Sequence, residues 1–475
     1  MMKSARYILP AHMRFREPEL LFHPERKQDR SPHPLLGLVQ FGPYSRSMLS
    51  YVEDPLRVAV IASHGDLPRV DGLLAELETR ASPRERKQYL VDYPGCSKVF
   101  GIRIVAASPV ARLELSENLE SEITTAASPH LTLAQAVTQA LGALRAVRSE
   151  FDVIVVYLPT RYSHCFYGRE GEGFDLHDYV KAVAAVRGLP VQIVREDKAL
   201  SYPCRCSVMW RLAIALYCKA GGVPWKLAEA DPDCAFIGLS YAVREDQAAG
   251  SRFVTCCSQV FDADGVGLEF VAYETGDVHV ERDNPFLSRT EMHRVMSRSM
   301  SLYQRRHGGR VPLRMIVHKS TEFKRDEMDG CFDALSMCPD VRLIQVQQDA
   351  PWRGLCLSAK NVAGGYPCER GTTLSLGGRE VALWTQGNAP DAVQGRDYYK
   401  EGKGIPSPLI LRRFAGHGSW DDDCRLTLAL TKMDWNNDGL YDRLPVTMRY
   451  AQVLARVIKR MPQLDSRPYE FRYFM

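Results

Sequence analysis

Residues 177–225 read HDYVKAVAAVRGLPVQIVREDKALSYPCRCSVMWRLAIALYCKAGGVPW, and the rest of the chain is organised around them. The first part has the pattern of a short amphipathic helix, with His177 and Lys181 four residues apart and so on one face. Gly188-Leu189-Pro190 ends that helix and launches a strand, Val191-Gln192-Ile193-Val194. A second helix starts at Ser201 or Pro203, where proline suits a first turn, and stops at Gly221-Gly222. Lys219 falls in its last turn.

Helix, strand and helix in this order bring His177, Lys181, Gln192 and Lys219 to one edge of an α/β layer. Three potential cations and an amide donor suit a phosphate carrying two negative charges. Taken singly, each residue has a plainer reading. Lys219 complements a helix C-terminus, Lys181 is a solvated lysine, and Gln192 is a satisfied strand amide. Taken with the tail Lys219-Ala220-Gly221-Gly222-Val223-Pro224-Trp225, the set resembles the guide 5′-phosphate pocket in the MID domain of prokaryotic Argonaute proteins. The usual pattern there is Tyr-Lys-Gln-Lys, and His177 stands at the tyrosine position.

Upstream, a doubly wound α/β pattern begins at Leu56. Leu56–Ser63 (LRVAVIAS) reads as a buried strand, and Leu67–Arg80 as a helix. Gly101–Ala106, a long helix over Leu131–Arg148 and the strand Phe151–Leu158 (FDVIVVYL) continue the alternation. Runs of Val and Ile without polar alternation belong to strands covered on both faces. The sheet is Rossmann-like, yet no glycine-rich dinucleotide or Walker A loop follows any strand, which disfavours a dinucleotide or nucleoside triphosphate site in the usual place. Before it, residues 1–50 are rich in Pro, Arg and Glu and read as an extended arm. Leu20, Leu21, Phe22, Leu35, Leu36 and Phe41 make that arm too apolar to be a free tail, so it is expected to lie across another surface.

The pattern changes after Ala230. Ala235–Ala242 is a strand, and Phe253–Val260 with Gly267–Tyr273 forms a hairpin at the Asp262-Ala263-Asp264-Gly265 turn. A helix over Arg289–Arg305, the strand Leu313–His318, strands near Val341–Val346, Thr372–Leu376 and Val381–Thr385, and a helix from Pro445 to about Lys459 follow. This order suits an RNase H-like fold, and the half resembles a PIWI domain. Gly238-Leu239-Ser240 stands where PIWI domains carry Gly-x-Asp, and Val317-His318-Lys319-Ser320-Thr321 where catalytic members show a His-Arg-Asp-Gly-like run. Thr431-Lys432-Met433-Asp434-Trp435-Asn436 and Pro445-Val446-Thr447 resemble the late loop and last helix. Two-metal phosphodiester cleavage needs clustered carboxylates, and the corresponding positions here are Ser240, Ser320 and Gln452. Glu245, Asp246, Asp262 and Asp264 lie nearby and read as turn and loop acids. The resemblance thus implies a nuclease fold without nuclease activity.

Length and composition agree with a multidomain globular protein. The chain has 475 residues, 45% hydrophobic and 25% charged, with a net charge of +4 that neither demands nor excludes nucleic acid. No apolar run of transmembrane length or signal peptide is evident. Thirteen scattered cysteines, an odd number, favour reduced thiols in a cytoplasm. Cys204-Arg205-Cys206 and Cys256-Cys257 lack a partner pair at zinc-site spacing.

The resemblance covers nearly the whole chain: an arm (1–50) expected to contact a partner, a MID-like guide-binding domain (51–230) and an inactive PIWI-like domain (231–475). With few residues before Leu56, it is to the short prokaryotic Argonautes. It implies a guide-loaded sensor in a defence complex, which binds a 5′-phosphorylated small RNA and pairs it with single-stranded DNA of an invader. The implied partner is a protein carrying an APAZ region fused to an effector, either a sirtuin-like or Toll-receptor-like NAD-depleting enzyme or a nuclease, in a heterodimer that oligomerises on activation. It further implies Mg²⁺ beside the guide phosphate, held by the terminal carboxylate of Met475. The alternatives are a guide-directed nuclease using displaced acids such as Glu245 or Asp246, and a Rossmann-type small-molecule enzyme.

Overall fold

The computed structural model describes residues 12–475 apart from 49–51, 86, 88–89, 247–250, 276–277, 282–283, 358–362, 366, 394–403 and 461–467. Its first lobe is built on a parallel sheet. The central strand β1 (Leu56–Ala62) is flanked on one edge by two short strands lying end to end, β2 (Ile104–Ala106) and β3 (Arg112–Glu114). On its other edge lie β4 (Val153–Leu158) and then β5 (Val191–Arg195). The longer helices of this lobe are α1 (Leu67–Glu76), α2 (Pro129–Ala146), α3 (Leu176–Val186) and α4 (Arg205–Lys219).

The apolar run of β1 is explained by its two covered faces. Val58, Val60 and Ala62 enter the cluster that holds Trp210 and Leu216 of α4, whereas Ala59 and Ile61 join Leu133, Val137 and Leu141 of α2. Side chains of a strand alternate between faces, so both sets must be apolar. The α4 helix is buried on nearly all sides, because its cluster also takes in Phe236, Ile344, Leu428 and Trp435 of the second lobe. One helix therefore serves both lobes.

The second lobe is a ten-stranded mixed sheet. An antiparallel meander, β6 (Cys234–Asp246), β7 (Ser251–Phe261) and β8 (Gly267–Thr275), comes first. Beyond it, β9 (Arg314–Lys319) runs parallel to β6, and β10 (Asp340–Gln347) parallel to β9. The strands β11 (Thr372–Gly377), β12 (Glu380–Leu383) and β13 (Leu409–Ala415) complete one side, with β13 antiparallel to β10. Helices α5 (Arg289–Arg306) and α6 (Arg325–Ala334) pack on one face with Ile237, Leu239, Val317 and Leu343. On the other face lies α8 (Val446–Ile458), while α7 (Trp420–Leu430) joins the shared cluster through Leu428. The architecture is α/β, a Rossmann-like lobe followed by an RNase H-like one, as the alternation of elements predicts.

The arm is not extended throughout. Pro34–Phe41 is a helix with proline in its first turn and the His33 ring accepting from Leu36 N. Leu20, Phe22, Leu35 and Leu38 are buried in the chain's own core, and Leu20–Leu21 pairs with Lys226–Leu227. Further back, His12–Arg14 adds an edge strand beside β11. Among the arm's described apolar residues Met13, Leu36 and Val39 stay exposed.

Candidate phosphate pocket and the strand ends of the second lobe

A cavity of about 470 Å³ opens where α3 and α8 meet the loop Asp434–Arg443 and the end of the chain, Phe474-Met475. Asp175 caps α3 by accepting from His177 N at 2.8 Å and Asp178 N at 3.2 Å, and this places His177 and Lys181 along one helix face toward the cavity. The His177 ring is half exposed, with Nδ1 3.2 Å from Asp178 Oδ1. Desolvation and then the neighbouring Lys181 charge lower its pKa, against the pull of Asp178.

Lys181 is 5% exposed and donates from Nζ to the Phe474 carbonyl at 3.2 Å. Burial brings its pKa down to about 8, with Arg456 and Arg449 acting in the same direction and Asp178 and Asp434 opposing. Lys219, in the last turn of α4, is wholly buried and donates to the Met475 main-chain oxygen. Burial, then the charge of Lys181, holds its pKa well below the ordinary lysine value. No Asp or Glu side chain among the described residues forms an ion pair with either ammonium. Two amines are thus kept out of water, Lys181 with a peptide carbonyl as partner and Lys219 with an oxygen of the terminal residue. Two cations share at most one negative charge, an expensive arrangement unless a further anion arrives.

The fourth expected residue is placed differently. Gln192 lies on β5, where Nε2 donates to the Ile193 carbonyl at 3.0 Å, and it is not among the residues lining the cavity. The opposite wall, to which the sequence pattern assigned no role, carries Asp434, Asn436, Asn437, Asp438 and Asp442 with Arg449 and Arg456. Asp434 accepts from Tyr450 Oη at 2.7 Å and Asn436 N at 3.0 Å. Burial and then the adjacent Asp434 charge raise the Asp442 pKa. The only signal in the chain was the clustering of acids and amides in Asp434-Trp435-Asn436-Asn437-Asp438.

These groups also decide whether a divalent ion fits. Carboxylates, amides and the Met475 oxygen line one cavity, a hard-oxygen donor set of the kind Mg²⁺ or Ca²⁺ takes. Asp434 and Asp442 repel one another while sharing Arg449, at 3.9 and 3.3 Å. Asp175, His177 and Asp178 offer ligand atoms within 4.8 Å of one another at the same mouth, although the Asp175 carboxylate already caps α3.

At the strand ends of the second lobe, Gly238 pairs with His318 and Leu239 with Lys319, so Ser240 and Ser320 follow at one level on adjacent parallel strands. By alternation Ser240 shares a face with Gly238. That face looks at α8, since a Cβ on Gly238 would stand 2.0 Å from the Thr447 carbonyl oxygen. Gln452 lies on the same helix. His318 is buried, its Nδ1 2.8 Å from Thr447 Oγ1, and burial brings its pKa to about 4, so the ring is neutral. Asp262 and Asp264 turn to His307 at 3.3 Å and Lys226 at 2.6 Å. The side chains of Glu245, Asp246, Cys256 and Cys257 lie outside the described residues. Cys204 and Cys206 are buried thiols, the latter directed at the Val91 carbonyl. Among the described residues no metal-ligand cluster forms at the strand ends, and no helix is long and apolar enough to cross a membrane.

No family model matches the sequence, and no curated protein matches it. The fold, in contrast, has clear counterparts among solved structures. Clostridium butyricum Argonaute bound to a guide DNA and a 19-mer target DNA superposes with a TM-score of 0.61 at 15% identity, over 96% of this chain and 54% of that one. Aquifex aeolicus Argonaute gives a TM-score of 0.60 at 16% identity over 98% and 57%. Drosophila Piwi gives 0.61 at 14% over 97% and 56%. The chain therefore has an Argonaute-like fold and spans little more than half the length of the solved chains it matches.

Proposed function

We propose that this chain binds the 5′-phosphate of a small RNA guide in the cavity beside Lys181 and Lys219 and presents that guide for pairing with single-stranded DNA. The observation that carries the reading is the pair of buried amines without an Asp or Glu partner, bonded instead to the main-chain oxygens of Phe474 and Met475. A dianionic phosphate would supply the missing counter-charge, and His177 at the mouth would meet the first nucleotide. Mg²⁺ held by Met475 with Asp434 or Asp442 would neutralise phosphate charge against the acidic wall. Gln192 would join only by turning its amide away from Ile193.

With Ser240, Ser320 and Gln452 at the strand ends and last helix, the chain would recognise a target without cutting it. Its output would then be an effect on another protein. Target pairing would favour one state of an associated APAZ-bearing effector, an NAD-depleting enzyme in the first instance, by differential affinity for the paired and unpaired forms, in a prokaryotic defence setting.

The experiment is guide binding with matched 5′-phosphate and 5′-hydroxyl oligonucleotides. Lys181→Ala and Lys219→Ala should each weaken the phosphorylated guide by about 1.5–3 kcal/mol, the range of charge-assisted hydrogen bonds, and leave the hydroxyl guide nearly unchanged. Equal losses for both guides would remove the pocket assignment.

A further inference from the structure

A second cavity, of about 660 Å³, lies at the ends of β9 and β10 and is lined by Glu281, Thr321, Glu322, Gln345, Asp349 and Arg412, among others. Gln345 pairs with Lys319, whose ammonium bonds Glu327 of α6, so Gln345 enters the cavity from the α6 side of the sheet, while Ser320 and Val346 line it too. Gln345 is 6% exposed. Its Nε2 donates to the Ser320 carbonyl at 3.0 Å, but Oε1 is buried and accepts from nothing. Thr321 Oγ1 in the same lining is also buried without a partner. Buried acceptors left unpaired are unfavourable and rare, so the cavity is set for an occupant that donates hydrogen bonds.

Its charge points the same way. Three carboxylates line it against one cation, Arg412, which already faces Glu380 at 3.3 Å. Glu281 and Glu322 share the ammonium of Lys324, at 3.0 and 2.6 Å, and Glu281 also meets the His279 ring at 3.2 Å. Asp349 has no ion-pair partner among the described residues and is exposed at the rim. A phosphate would be repelled here. Three and six residues beyond Asp349, Trp352 and Leu355 are 48% and 56% exposed.

We infer that this cavity receives an arginine side chain from a segment of a partner protein. A guanidinium is a planar fork of five donors, matched to carboxylates and an amide oxygen set together, whereas a lysine ammonium lacks that geometry. This interface does not depend on guide binding.

The test uses the full chain and a fluorescein-labelled peptide Gly-Leu-Arg-Leu-Gly, with lysine and citrulline versions, read by anisotropy. The arginine peptide should bind at least about tenfold tighter than either relative. Asp349→Asn, a change at an exposed position, and Gln345→Leu should each weaken it about tenfold, and Glu120→Gln on the other lobe should not. Binding of 5′-phosphorylated guide measured on the same preparations reports folding independently. Equal affinity for the three peptides, or an Asp349→Asn protein that binds as the parent does, would overturn the inference. So would displacement of the peptide by single-stranded DNA in the parent but not in Arg412→Ala, which would make the cavity a nucleic-acid contact.

Discussion

Glu17 and Lys432, 415 positions apart, meet in a buried ion pair with 2.7 Å between Oε1 and Nζ. Arg370 reaches the other carboxylate oxygen at 2.8 Å. One acid of the arm is thus shared by two cations of the second lobe, and both cations are within 3% of full burial. Burial alone would raise the Glu17 pKa, yet Arg370 and Lys432 together hold it below its ordinary value.

Glu17→Gln should therefore cost about 3–5 kcal/mol, because it leaves two buried charges unanswered. Urea denaturation would measure the loss. The depressed pKa also fixes a direction with pH: the stabilisation is present above the ordinary glutamate value and is lost as pH falls through the lower folded one. Unchanged stability in Glu17→Gln would mean that the arm is detached in solution.

Lys181 gives the same slope with pH, but there the charge is a cost to the fold rather than a gain. Lys181 titrates at about 8 in the fold, below the ordinary value of about 10.4. Between those values the folded protein binds fewer protons than the unfolded chain, so stability rises with pH across the window, and the cost of the charge is complete below about 8. Without guide, Lys181→Met should be more stable than the parent at pH 7, on the order of 1–4 kcal/mol, with the gap closing toward pH 10.5. Denaturation curves at the two pH values would check it. A gap that does not change with pH would place the amine in water.

Gly238→Ala should destabilise the second lobe by about 3 kcal/mol, since the new methyl would meet a helix carbonyl that has no rotamer to escape by. Gly142→Ala is the control. It lies exposed in α2 with no atom within 4 Å of the added carbon, and should stabilise by about 0.5–1 kcal/mol. Thermal melts of both variants decide the matter.

Given guide, complementary single-stranded DNA and Mg²⁺ or Mn²⁺, the protein should leave the target whole in a single-turnover gel assay. A cut at a fixed distance from the guide 5′ end would mean that displaced acids serve, and Glu245→Ala and Asp246→Ala would then locate them.

Much of the fold was legible because its strands are local patterns. β1 and β4 announce themselves as apolar runs rich in Val and Ile, and the four-residue spacing of His177 and Lys181 is enough to put both on one helix face. The site was legible only in part. Gln192 has the right strand and the right neighbours, but its amide finds the adjacent carbonyl, a choice between partners that spacing does not record. The acidic wall of Asp434 and Asp442 reads as an ordinary polar loop until the chain end is brought beside it. Glu17 and Gln345 were equally silent, since their meaning rests on residues distant in the chain or on a bond left unmade.

The α4 helix gives the two lobes a common fate. Its Trp210 and Leu216 belong to one apolar cluster with Phe236, Ile344 and Trp435. A fragment cut after the first lobe would carry that helix with one flank stripped bare, and a fragment begun after it would lack the surface its own sheet closes on. Each fragment would expose apolar surface that the intact chain keeps from water.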